Sequence, residues 1–128
     1  MKRNATLVTT SLLSLLLLTL HITDDIVRGI SKAESSNTAL VVLSVLLYGA
    51  LALADKRSGQ IIMLIAGLLA ALMPVLHMPG AHYPELAASP GGYYFVWILW
   101  ACGGVGGVTI LLAARELWSG RRARSSTS

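Results

Sequence analysis

Apolar residues occupy this chain in four blocks, 5–22, 38–54, 61–76 and 94–114, and no Asp, Glu, Lys or Arg interrupts any of them. Each block meets or approaches the about 17–25 residues that a helix needs to cross a hydrocarbon layer roughly 30 Å thick. Short polar stretches at 31–37, 55–60 and 78–92 separate them. The pattern predicts an all-α, four-helix transmembrane bundle with up-down-up-down topology and helices over about 4–30, 37–54, 60–77 and 93–118. Together they make one four-span domain, 1–118, followed by a disordered basic and polar tail, 119–128.

The first block changes character without a proline or glycine break. A leucine run from Leu12 passes into His21, Asp24, Asp25 and Arg28, whose i, i+3, i+4, i+7 spacing puts all four on one side of a helix. Thr6, Thr10 and Ser14 extend that side in four-residue steps. Gly29 is placed to end the helix.

Composition supports the membrane reading. Of 128 residues 55% are hydrophobic and only 12% charged, against about a quarter charged in soluble domains. The formal charge of +4 does not point to nucleic acid, because the basic residues are sorted by position. With alternating helices, Lys2, Arg3, Lys56, Arg57, Arg115, Arg121, Arg122 and Arg124 fall on one side, and only Arg28 and Lys32 on the other. That split predicts a multi-pass protein of the cell membrane with both termini and the 55–60 turn cytoplasmic. Its partners are then the lipid bilayer and further copies of itself or a larger membrane complex. A cleaved signal peptide is the rival reading of residues 1–22. The nearest small-x-small site, Ser31-Lys32-Ala33, lies about ten residues too far along, so helix 1 is expected to stay.

Candidate chemistry gathers at the outer face. His21, His77 and His82 all map there, with four of the six acids, Asp24, Asp25, Glu34 and Glu85. The candidate solute- or proton-binding set is His21, Asp24, Asp25, Arg28, His77, His82 and Glu85, with Asp25 foremost. Imidazole and carboxylate also suit transition metals, which makes His21, His77 and His82 candidate ligands. Against this stands the common case of polar groups solvated at helix ends, with Arg28 paired to Asp24 or Asp25. No phosphate-binding glycine loop, nucleophile elbow, HExxH or paired CxxC occurs, which argues against ATP-driven and protease chemistry.

Small residues mark packing surfaces. Gly103 with Gly107, and Gly67 with Ala71, are small-xxx-small pairs that let helices approach closely. Pro74 removes a backbone donor near the end of helix 3, and Tyr93, Tyr94, Phe95, Trp97 and Trp100 read as an interfacial aromatic belt. Three functions remain open: binding or conduction of a small solute, ion or proton through the His/Asp face; a metal- or haem-carrying redox subunit; and an accessory subunit that docks through its glycines. The sequence names no particular cofactor.

Overall fold

The computed structural model describes residues 4–31, 37–80 and 83–125. Five helices appear among them and no strand: α1 Ala5–Val27, α2 Thr38–Ala52, α3 Arg57–His77, α4 Tyr83–Ala88 and α5 Gly92–Ser125. Three of these, α1, α3 and α5, are long and apolar enough to cross a membrane, and the chain is a membrane protein on that ground. At about 1.5 Å per residue, α2 with its 15 residues extends only about 22 Å.

The core is a three-helix arrangement of α1, α3 and α5, with α2 set against α3 and α1. Its seam is visible in the burial pattern. On α1 the buried face is Leu7, Ser11, Ser14, Leu18, His21 and Asp25, an alternation of four- and three-residue steps. That 3.5-residue spacing keeps a helix face turned toward its neighbours over many turns. On α5, Phe95, Leu99, Cys102, Gly106, Thr109 and Ala113 repeat it. Leu13, Leu16, Leu40, Val41, Val45 and Leu111 face outward, an apolar exterior suited to lipid contact.

Glycine determines how closely α3 and α5 meet. A Cβ on Gly106 would stand 2.6 Å from the Ala71 nitrogen and 2.7 Å from the Gly67 oxygen, and one on Gly67 would stand 3.0 Å from the Gly106 oxygen. The two backbones are therefore in contact with no side chain between them. Gly103 makes room for the Pro74 ring in the same way. Gly107, the expected partner of Gly103, opens onto free space, as does Gly104. The glycines on the packed face, Gly103 and Gly106, are three positions apart and not four, because the seam steps by both three and four.

Two ends differ from the sequence pattern. Helix α1 stops at Val27 rather than near residue 30. Gly29 takes φ 72°, its amide donates to Ile26 O at 3.0 Å, and that of Ile30 donates to Asp25 O at 2.9 Å. These bonds satisfy the last carbonyls and stop the helix. Helix α5, expected to give way to a disordered tail after Trp118, continues through Ser125. Arginine and alanine are good helix formers, and cations stabilise a helix C-terminus. Arg122 also lies over the Trp118 ring one turn back, 5.7 Å from its centroid.

Candidate metal centre

His21 and Asp25 project from the last two turns of α1, and His77 is the final residue of α3. Nε2 of His21 lies 3.4 Å from Oδ2 of Asp25, and Nε2 of His77 lies 3.3 Å from the same oxygen. The two imidazoles meet edge to face, with centroids 4.7 Å apart. One ligand atom from each of the three residues falls within 4.8 Å of the others.

His21 is 1% exposed and Asp25 7%, yet the cluster is not internally satisfied. Neither nitrogen of His21 nor Oδ1 of Asp25 has a hydrogen-bond partner among the described residues. Buried polar atoms without partners are costly, by about 1–3 kcal/mol each. His77 adds a sharper constraint. Its Nδ1 is 3.0 Å from the Met73 carbonyl, and a carbonyl only accepts, so Nδ1 carries the hydrogen. In the neutral ring Nε2 then presents a lone pair to the Asp25 carboxylate. Two lone pairs 3.3 Å apart need a positive charge between them.

A bound ion meets that need. Tetrahedral zinc holds its ligands at about 2.0–2.1 Å, so neighbouring ligand atoms are about 3.3 Å apart, close to the 3.3 and 3.4 Å from each histidine to Asp25; the whole set lies within 4.8 Å. A ligating histidine usually donates its second nitrogen to a carbonyl or carboxylate, which fixes the ring; Met73 does this for His77. The set lacks such a partner for His21. Haem does not fit, because the two imidazoles are in edge-to-face contact with centroids 4.7 Å apart, which leaves no room for a macrocycle between them.

The other candidates separate from this cluster. Asp24 pairs with Arg28, Nε to Oδ2 at 2.7 Å, which leaves Asp25 to the histidines. Arg28 then reaches the turn between α4 and α5, donating to Ser89 Oγ at 2.8 Å and to Gly91 O at 3.0 Å. Glu85 stands apart, lining a hollow with Gly29, Ile30 and Leu86. His82 and Glu34 lie outside the described residues. The hydroxyl line also shifts. Thr6 is exposed and Thr10 bonds back to Leu7 O, whereas Ser11 and Ser14 are buried on the seam.

One residue of the site was read otherwise in the sequence. Phe95, taken for a belt aromatic, is fully buried. Its centroid lies 6.4 Å from that of His21 and 6.3 Å from that of His77, and Arg28 Cζ stands 5.7 Å from it. Tyr93, Trp97 and Trp100 around it are exposed; the signal that separates Phe95 is its place on the seam with Leu99 and Cys102. It closes the triad from the α5 side, so all three core helices build the site. Comparison with protein-family models, curated proteins and solved structures finds no match to the chain.

Proposed function

We propose that this chain is a four-span protein of the cell membrane that captures a zinc-class divalent ion through His21, Asp25 and His77 at the outer face. The observation that carries the reading is the fixed His77 ring, whose Nε2 faces the Asp25 carboxylate beside an unpartnered His21. Two imidazoles and one carboxylate are a ligand set that zinc accepts, with a fourth position left for water or an exchangeable ligand. The charge asymmetry along the sequence supports cytoplasmic termini, which would put the site outside. Counting α2 as a span requires the flanking residues on either side of Thr38–Ala52 to complete the crossing.

Capture, rather than passage, suits a single chain. Toward the middle of the bundle the triad gives way to Leu18, Ala70, Ile98 and Cys102, a buried apolar cluster. Conduction would need a homo-oligomer to supply a polar path.

Metal analysis of the purified chain and a cobalt titration test the reading together. One ion per chain, with the strong visible absorption of four-coordinate cobalt, is expected. Both should vanish in Asp25→Ala/His77→Ala. A folded protein that takes up neither ion would sink it, leaving a proton shared between His77 and Asp25 as the account of the same geometry.

A further inference from the structure

The opposite end of the bundle holds a second cleft, of about 280 Å³, lined by Asp55, Lys56, Arg57, Gln60, Leu117, Gly120 and Arg121. We propose that it binds a phosphate-bearing anion, held between Arg57 and Arg121 with the Gln60 amide as a neutral donor. Three bases face one acid there, and among the described residues none of the four makes an ion pair. Guanidinium forks match phosphate oxygens two at a time.

Two further observations point to a ligand. Gln60 is 5% exposed and lines the cleft, yet its amide has no hydrogen-bond partner among the described residues. Its amide atoms are not among those sealed from solvent without a partner, so they open to the cleft, where water or a bound group meets them. The cleft also lies at the start of α3, whose N-cap Lys56 provides no side-chain cap, so the positive end of a 21-residue helix faces this region. The apolar run of α3 begins at Ile61, immediately beyond Gln60, which places the cleft level with lipid head groups. A phosphate there comes from an anionic lipid or from solution.

The test uses the intact chain in mild detergent, supplied with phosphatidylglycerol or phosphatidylcholine, with retained lipid measured by native mass spectrometry. Phosphatidylglycerol should be retained about tenfold better than phosphatidylcholine, and Arg57→Gln/Arg121→Gln should remove that preference. Gln60→Leu, which leaves the net charge unchanged, should weaken retention several-fold. Displacement by inorganic phosphate would assign the site to the free anion, and resistance to it would assign the site to the lipid; either supports the proposal. Equal retention of the two lipids, or full retention by Gln60→Leu, would overturn it. Should the double variant unfold by circular dichroism, the exposed Arg121→Gln alone gives the same reading.

Discussion

Nε2 of His77 stands 3.3 Å from Oδ2 of Asp25, while the other nitrogen of that ring is bound to the Met73 carbonyl at 3.0 Å. Adjacent acids on α1 therefore have different tasks. Asp25→Asn should lower zinc affinity by more than about 100-fold, since it removes a ligand where even supporting partners are worth about 10–100-fold. Asp24→Asn should change it by less than about tenfold. Competition against a chromophoric chelator measures both. Equal losses in the two variants would reduce the effect to general negative charge.

The contact between α3 and α5 makes a paired prediction. Gly106→Ala drives a methyl against backbone atoms of Ala71 and Gly67 and should destabilise the fold by about 1–3 kcal/mol or more. Gly104→Ala meets nothing within 4 Å and should stabilise by up to about 1 kcal/mol through helix propensity. Unfolding in mixed detergent with rising dodecyl sulfate compares the two. Similar values for both would contradict the backbone contact.

Arg28 ties the end of α1 to the turn before α5 through two hydrogen bonds, to Ser89 and Gly91, while a third holds it to Asp24 on α1. Arg28→Ala should speed amide exchange at 91–95 and cost about 1–3 kcal/mol. Lysine lacks the planar fork, so Arg28→Lys should restore the Asp24 pair without restoring protection at the turn. Protection in the lysine variant matching the parent would refute the role of the fork.

Deeper in the bundle, Ser14 Oγ and Thr109 Oγ1 are 3.1 Å apart. Thr109 donates to Val105 O at 3.0 Å, so Ser14 is the donor of the pair. Thr109→Val strands the Ser14 hydroxyl and should cost more than Ser14→Ala. A double-mutant cycle should give a coupling of about 0.6–1.7 kcal/mol, the range seen between membrane helices. A coupling of zero would mean that Ser14 is satisfied by its own helix.

Much of this was legible in the sequence. Uninterrupted apolar runs located the helices, Gly29 marked the end of α1, and i, i+4 spacing put His21 beside Asp25. What failed was rotation about the helix axis. Four-residue steps overshoot one turn by about 40° each time, so the line through Thr6, Thr10 and Ser14 drifts off the face that Ser11, Ser14, His21 and Asp25 share. The same ambiguity leaves open which of Gly104, Gly106 and Gly107 shares the packed face with Gly103, and the structure places Gly106 there. Phe95 over the triad and Arg28 on Ser89 join residues far apart in the chain, and a single sequence carries no local signal for such contacts.

The flush meeting of Gly67 and Gly106 has a mechanical result. With main chain pressed on main chain at this crossing, α3 and α5 have no side-chain cushion there to shear, and the close pair carries His77 and Phe95 together. His21 and Asp25 ride on α1, which meets that pair through leucines and through the Ser14–Thr109 hydroxyl contact. A wider triad would therefore call for a tilt of α1 against that pair, to which it is tied at one end by Asn4 to Glu116 and at the other by Arg28 to Ser89 and Gly91.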